Sequence, residues 1–562
     1  MKTIRFLKIT MAAILLAGFT SCSENIEINN PEVEGKQKAE AYISLKITIP
    51  NDVTASRAAS AEDSEVYEAG IPAEYEIKNL YLHFYNNDAT GALATNIGSS
   101  GIVVIPSSKL YPTGPYNEIV YNISLPIPIT LTGAMPQTYK VMAVANYDFV
   151  DPGAQTIEST LQAAAFGNSA GLGVTASDYA AGLITAIPNG TGPNAFENGL
   201  LMVSRTKTSN TDSPYYYKSS PFSTITIDVT NTQTTPAPLN LEMERAVAKL
   251  AIAGGGSSND NVYAIGSGSD SECDVEIVEY AAINLKTDSY IYRLVSDGTV
   301  VGYGNISATG DLLSGGGGYG LNYLYSIGFG GKVAVGTIAQ YSMVNSAVEN
   351  IVAGSNNIVN YSALAKKGTM PTGTTYSNIG YCLENSAKND LQLNAYSTGM
   401  LFKGKITPAT VFEATSPTTV GAIGVIPADF FYHNGRFYED LNAIAADPAS
   451  APSVKGLSNA TPSGTPAEQK ILHSLGIEKY VDGECFYTYW IKHLDDPLVD
   501  NSVMEFAVVR NNVYNMKITD ISNLGPGQPY IDPEDPNELA ATYFRVDLAI
   551  RPWIVRTNNI KF

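Results

Sequence analysis

The stretch Tyr42-Ile-Ser-Leu-Lys-Ile-Thr-Ile49 alternates apolar and polar side chains without a break. Its four apolar positions are Ile43, Leu45, Ile47 and Ile49. Successive side chains of a β-strand point to opposite faces, so this pattern predicts a strand with one face on a core and the other toward solvent.

Similar patterns recur along the 562-residue chain, and its 35 Tyr, 49 Gly and 30 Pro favour many short strands joined by turns. A chain of this length predicts two β domains. The further predicted strands lie at Leu80–Phe84, Val141–Ala145, Leu239–Met243, Ala281–Leu285, Met400–Ile406, Gly421–Ile426, Cys485–Ile491, Val513–Ile518 and Tyr543–Ile550. The Ala-rich stretch Ser159–Ile187 predicts short helices.

The first residues form a targeting signal. A basic start with Lys2 and Arg5 precedes an apolar run, Ile9–Phe19, that is too short for a permanent membrane anchor. Small residues directly before Cys22 suit a lipoprotein signal peptidase, which would leave Cys22 as a lipidated, palmitate-carrying N-terminus. The alternative is an ordinary cleavable signal with an incidental cysteine, because Phe19 stands three residues before Cys22, where lipoprotein signals usually have Leu.

The composition after Cys22 limits the possible functions. Ser23–Glu40 is a polar, acidic tether that we expect to be disordered. The net charge of −20 argues against nucleic acid as a partner. Cys273, Cys382 and Cys485 are far apart and odd in number, which predicts buried free thiols instead of a disulfide framework.

Three long segments read as loops. Ser314–Gly320 is rich in Gly, and Ala445–Pro466 is rich in Pro, Ala and Ser. Segments of this length are usually functional or disordered. Gly525–Pro536 is Pro-rich and acidic, and predicts a stiff spacer that lets the terminal segment reach away from the body.

No pattern of catalysis stands out. The four histidines, His83, His433, His473 and His493, are scattered and read as surface or packing residues. Gly315, Gly317 and Gly320 satisfy a Gly-x-Gly-x-x-Gly spacing, but the flanking strand and acidic residue of a dinucleotide site are missing. The acidic residues at 495–496 and 532–535 read as solvated turn residues. We therefore predict no enzyme, catalytic residue, metal or cofactor.

Several segments together resemble the fimbrillins of type V pili in Bacteroidales, most closely the shaft subunit of the short, Mfa-type fimbria. The resemblance covers nearly the whole chain in order and spacing. The segments that carry it are the signal with Cys22, the strand before Ser56-Arg57-Ala58, Tyr139–Asn146, Arg245–Lys249, Leu401–Lys405, Arg510–Asn515 and Val546–Trp553.

The resemblance implies an all-β fold with two tandem transthyretin-like β-sandwich domains of the seven-strand Greek-key type, with short helical insertions. The expected regions are a lipoprotein signal peptide at 1–21, a lipidated tether with the first strand at 22–57, an N-terminal domain at 58–247, a C-terminal domain at 248–542 and a donor strand segment at 543–562.

The resemblance also implies polymerisation by strand exchange after proteolysis. Arg57 is the only arginine between Arg5 and Arg205, and it lies in a polar stretch, Thr54–Ser64, typical of an exposed loop. An Arg-specific, trypsin-like protease would cut between Arg57 and Ala58. The alternative is an ordinary loop with a solvated arginine.

Cleavage would free the first strand and open a groove for a neighbour's C-terminal strand. The expected donor residues are Phe544, Val546, Leu548, Ile550, Trp553, Ile554 and Val555. Either half of that segment is a candidate, and Pro552 requires a change of partner or an edge position. In the alternative, the whole strand stays in its own sheet.

These features predict a shaft subunit of a cell-surface fimbria that supports adhesion and biofilm formation. The expected partners are identical subunits head to tail, accessory tip and anchor proteins, lipoprotein-processing enzymes, the protease, and host or bacterial surface receptors. A fimbrial tip or anchor subunit, or a surface glycan-binding lipoprotein, remains the alternative.

Overall fold

The computed structural model describes most of the folded body of the chain and none of the first 37 residues. The described residues are 38–49, 68–69, 74–88, 92–97, 101–113, 119–123, 126–132, 136–146, 173–174, 199–209, 217–220, 222–286, 289–290, 295–296, 301–302, 323–324, 358–364, 367–387, 392–493, 505–537 and 544–554.

Strands dominate these residues, which confirms the all-β prediction. In chain order they are β1 Lys38–Ile49, β2 Glu68–Ala69, β3 Asn79–Asn86, β4 Ile102–Pro106, β5 Leu110–Thr113, β6 Ile119–Ile123, β7 Ile127–Thr132, β8 Gln137–Ala145, β9 Gly173–Val174, β10 Met202–Ser209, β11 Tyr217–Ser220, β12 Phe222–Ile227, β13 Ala237–Arg245, β14 Val247–Ala253, β15 Val262–Ile265 and β16 Cys273–Ile283. They continue with β17 Ser289–Tyr290, β18 Val295–Ser296, β19 Val301–Gly302, β20 Tyr323–Leu324, β21 Lys367–Thr369, β22 Ser377–Leu383, β23 Gly399–Pro408, β24 Phe412–Ser416, β25 Thr419–Ala422, β26 Phe430–His433, β27 Arg436–Tyr438, β28 Ile477–Tyr480, β29 Glu484–Trp490, β30 Asn512–Ile521 and β31 Phe544–Ile554. The helices are α1 Leu441–Ala446 and α2 Pro466–Ser474, with 3-10 turns at Ser107–Lys109, Tyr361–Ala363 and Pro452–Val454.

One eleven-stranded sheet organises the N-terminal half. Its strand order is β4-β3-β8-β10-β13-β1-β6-β5, with β7, β11 and β12 paired beside this path. Alternate residues of these strands point inward and form one apolar core that extends in sequence from Ala41 to Met243. The first strand of the chain therefore lies in the interior of the sheet and not at its edge.

The backbone crosses directly from this half to the next. Only Ala246 separates β13 from β14, and the next core begins at Ala248. The sheet β2-β31-β30-β14-β22 and the sheet β15-β16-β23-β29, with β21 beside it, share that second core, which makes a β-sandwich. In both halves the first strand pairs in parallel with a late one, β1 with β13 and β14 with β30.

A small module is inserted at the tip of a hairpin. β23 and β29 are antiparallel neighbours, and the chain between them forms the sheet β25-β24-β27-β26-β28 with α1 and α2. This module has a core of its own around Phe431, Leu441 and Leu472.

The reading of Ala445–Pro466 as a long loop holds for most of its length, since residues 447–465 connect α1 to α2. The segment contains the end of α1, the 3-10 turn at Pro452–Val454 and the start of α2. Thr465 and Glu468 form a capping box, and Pro466 occupies the first turn of α2, where its missing N–H is not needed. Ser314–Gly320 and most of Ser159–Ile187 lie outside the described residues.

Candidate functional site: the slot of the first strand

β1 fills a slot between two strands that do not pair with each other. On one side it pairs in parallel with β13, from Ile43 opposite Ala237 to Thr48 opposite Glu242. On the other side it pairs antiparallel with β6, and β7 also pairs with β1. Without β1, the facing edges of β13 and β6 would lose their hydrogen-bonding partner.

The apolar face of β1 is inserted fully into the first core. Ile43 and Ile47 have no exposed surface, while Leu45 is 3% and Ile49 2% exposed. Lys46 on the opposite face is exposed. The alternation predicted from the sequence is thus present in the structure. Burying an aliphatic side chain contributes about 1.5 to 3 kcal/mol, so β1 is held strongly.

The segment of chain that follows β1 lies outside the described residues. Residues 50–67, with Arg57 and Ala58, are not among the described ones, and neither is Cys22. The processing and lipidation residues therefore stay predictions. β2 and Glu74 are the next described positions after the predicted cleavage point.

Glu74 fastens the chain after that link to the second half of the molecule. Its carboxylate lies 3.1 Å from Lys249 Nζ and also accepts a hydrogen bond from the Tyr381 hydroxyl. Its carbonyl oxygen accepts a bond from Arg245 Nε at 2.8 Å. Glu74 and Arg245 have no exposed surface. Burial lowers the pKa of Arg245 to about 10 and Glu74 opposes this, so the guanidinium stays charged at neutral pH.

A second buried ion pair, between Arg510 and Glu384, lies next to the contacts of Glu74. Arg510 donates two hydrogen bonds to the Glu384 carboxylate, and both side chains are fully buried. Asn511 has a positive φ of 61° and accepts a bond from Arg245 Nη1 at 3.1 Å. The sequence analysis did not predict that Arg245, Lys249 and Arg510 form this cluster. A signal for it was present, since Lys249 and Arg510 are single charged residues directly after apolar stretches.

The predicted donor residues lie in the sheet of the second half. β31 pairs antiparallel with β30 from Phe544 opposite Ile521 to Pro552 opposite Asn512. On its other side, Trp553 and Ile554 pair with the two residues of β2. Val555 lies outside the described residues. Within one chain, the structure does not bring these residues to the slot of β1.

The prediction that Gly525–Pro536 is a spacer that carries the terminal segment away from the body was wrong. Backbone and side-chain hydrogen bonds hold this segment to the body along its length; for example, Phe486 N donates to Pro526 O at 3.0 Å and Asn394 N to Asp535 O at 2.9 Å. Proline and acidic residues gave it the composition of a spacer, but its carbonyl groups are engaged by the folded body.

The histidines pack against neighbours. His83 is buried and stacks on Tyr85, and burial lowers its pKa to about 4. His433 contacts Gly476 O, and His493 contacts the Tyr514 hydroxyl. His473 is paired with Glu478, which raises its pKa. Among the described residues, no group of three His, Cys, Asp or Glu could hold a metal ion.

Two further findings concern the whole described part of the chain. Cys273, Cys382 and Cys485 are buried and free, as predicted. Within the same residues, no helix is long and apolar enough to cross a membrane.

The C-terminal part of the chain matches one protein-family model. Residues 478–559 match the family model described as major fimbrial subunit protein type IV, fimbrillin, C-terminal. These residues include β29, β30 and β31. They also contain the buried Arg510 and the whole described part of the predicted donor segment. No curated protein sequence matches the chain significantly.

Solved structures give more distant likenesses. A fimbrilin from Porphyromonas gingivalis is 15% identical, with 92% of this chain and 99% of that chain covered and a TM-score of 0.38. A candidate cell-adhesion protein from Parabacteroides distasonis is 13% identical, over 92% and 99%, with a TM-score of 0.35. The tip fimbrial protein Mfa3 from P. gingivalis is 11% identical, over 92% and 100%, with a TM-score of 0.28. TM-scores this low establish no function.

The matched family is one of fimbrial subunit proteins, and the match covers residues 478–559 of this chain. The family match confirms the resemblance to the fimbrillins, in the part of the chain that carries the Arg510–Asn515 and Val546–Trp553 segments.

Proposed function

We propose that this protein is the structural shaft subunit of a cell-surface fimbria, exported as a lipoprotein precursor and polymerised by strand exchange. The observation that carries the proposal is the interior position of β1. A strand that completes a core between β13 and β6, and that precedes Arg57, the only arginine between Arg5 and Arg205, is a strand that one proteolytic cut can detach.

The order of events follows from the chain order. Cys22 would carry lipid and hold the precursor at the outer membrane. Cleavage between Arg57 and Ala58 would leave β1 held by non-covalent contacts alone. Loss of β1 would then discard the lipid anchor together with the strand. Glu74, fixed between Lys249 and Arg245, would keep the new N-terminal segment attached to the subunit.

The vacated slot has the properties of an acceptor. It would expose the apolar side chains that β1 covers and two unpaired strand edges, on β13 and β6, and such edges template another strand. The segment 543–562 of a neighbour has a matching alternation of apolar and polar residues. Head-to-tail contacts of this kind do not close on themselves and generate a filament.

Two chain variants test the proposal from opposite ends of the contact. Deleting Trp553–Phe562 removes part of the donor and leaves the acceptor slot intact. Arg57→Gln keeps β1 in place and leaves the donor intact. Each variant should form no filament alone, and the cleaved deletion variant, mixed with wild-type subunits, should shorten the filaments that can be sheared from cells. Filaments of undiminished length from the deletion variant alone would contradict the role of these residues as donor.

A further inference from the structure

The segment Gly525–Asn537, here called the strap, lies directly before the predicted donor and is tied to the body. At its start, Tyr480 Oη donates to Gly525 O at 3.0 Å, and Gly527 N donates to Glu478 Oε2 at 3.1 Å. Gln528 Nε2 donates to Gln469 Oε1 of α2 at 2.8 Å. The inserted module thus supplies several of the groups that hold the strap.

Two glycines of the strap serve close contact. A Cβ on Gly525 would lie 2.3 Å from Phe486 O, and a Cβ on Gly527 would lie 2.1 Å from Lys479 O. Both distances are far below van der Waals contact, so only glycine lets the strap approach β28 and β29 this closely. The Gly-Pro-Gly sequence at the start of the predicted stiff spacer is therefore explained by packing.

The end of the strap is held by a buried polar cluster. Asn394 Nδ2 donates to Asp532 O at 2.8 Å, and Ser397 Oγ donates to Asn537 Oδ1 at 2.5 Å. Asn394 and Asn537 are 6% and 2% exposed. Leu393 and Pro536 face each other in an isolated antiparallel bridge.

We propose that the strap stays on the body during polymerisation and that the donor arm begins only after Asn537. Asn394 and Asn537 are then positioning residues that fix the point from which the arm leaves. This inference rests on the proposed function. Detaching the strap would break its hydrogen bonds to buried partners, each worth about 1 kcal/mol net, and would expose the buried Ile531.

The arm after Asn537 is long enough to place a strand in the slot of a neighbouring subunit. Residues 538–562 would span roughly 80 Å when fully extended, and a strand as long as the 12-residue β1 needs roughly 40 Å. The strap consequently sets both the origin and the maximum reach of the arm, and with them the spacing between neighbouring subunits.

Engineered disulfides test whether the strap moves. Leu393→Cys with Pro536→Cys would lock the strap, because Asn394 N donates to Asp535 O and Asn537 N to Gln392 O around this bridge, the pattern of a closely spaced non-hydrogen-bonded pair. Lys517→Cys with Asp547→Cys, partners in the β30–β31 ladder, would lock β31 to its own sheet. Filaments of the full chain are sheared from cells grown with and without reductant.

The strap-locked variant should form as much filament oxidised as reduced, whereas the β31-locked variant should form filament only when reduced. If the strap-locked variant polymerises only after reduction, the strap must leave the body and the inference is overturned. If both variants polymerise while oxidised, the strap stays on the body but the donor arm leaves after Asp547, which overturns the role of Asn394 and Asn537 in fixing its origin. Should Leu393→Cys disturb folding, Ile358→Cys with Tyr530→Cys locks the strap at its other bridge and gives the same readout.

Discussion

Ile47 of β1 is the parallel partner of Leu241 in β13, and both side chains are buried in the first core. Ile47 also faces Tyr121 of β6 across the antiparallel ladder. The first strand of the chain therefore bridges two strands that have no other connection at this point. This relationship makes β1 necessary for the closed subunit and makes its removal consequential.

Shortening Ile47 should weaken the closed precursor. Ile47→Ala leaves a cavity in a core position with no exposed surface and should lower the free energy of unfolding by about 2 to 4 kcal/mol. Lys46→Ala, on the exposed face of the same strand, is the matched control and should change it little. Denaturant unfolding of both variants measures the difference. Equal stability would mean that β1 is not packed as described.

A synthetic peptide with the sequence of Lys38–Ile49 should inhibit polymerisation of cleaved subunits. It carries the side chains that fill the slot and should occupy it before a donor does. A control peptide with Ser at positions 43, 45, 47 and 49 should not inhibit, because it lacks the apolar face. Filament yield against peptide concentration is the measurement. Inhibition by both peptides, or by neither, would count against a slot with this specificity.

Removing the charge of Glu74 should destabilise the junction between the two halves. Glu74→Gln removes the carboxylate that pairs with the buried Lys249 and should cost about 3 to 5 kcal/mol, although the bond from Arg245 to the Glu74 carbonyl oxygen remains. Glu76→Gln is the control, since Glu76 pairs with Lys78 at the surface and should matter by less than about 1 kcal/mol. Thermal unfolding of the two variants compares them. A similar loss in both would contradict a special role of the Glu74 cluster.

His83 should make the stability of the N-terminal half sensitive to acid. Burial lowers its folded-state pKa to about 4, so the unfolded chain takes up a proton at higher pH than the folded one. The stability that this neutral histidine contributes is present above about pH 6.5 and is lost as the pH falls toward 4, by up to roughly 3 kcal/mol. Unfolding curves over this range should show the loss in wild type and a smaller loss in His83→Gln. Equal losses would exclude His83 as the cause.

Strict alternation made the strands predictable. Ile43, Leu45, Ile47 and Ile49 face the core as predicted because one face of β1 is wholly apolar. The pattern could not show that β1 lies between β13 and β6, since strand order depends on contacts between residues far apart in sequence. Gly421–Ile426 shows a weaker case. Only the part up to Ala422 is a strand, and Val425 is 81% exposed.

Composition was a poor guide to one of the segments that read as loops. The strap is rich in Pro and Gly, yet Gly527 is needed for contact with Lys479 O and Asn394 binds the carbonyl oxygen of Asp532. Ala445–Pro466 is a loop for most of its length, and Thr465 at its end caps α2 of a module that has a core of its own. The partners of the strap lie in distant parts of the sequence, whereas the Thr465–Glu468 capping box is a local signal.

The N-terminal sequence of subunits in sheared filaments tests the central claim most directly. If cleavage vacates the slot of β1, Edman sequencing and mass measurement of the filament subunit should give a chain that starts at Ala58 and lacks Lys38–Ile49. Filaments built from subunits that start at Cys22 and retain β1 would contradict it.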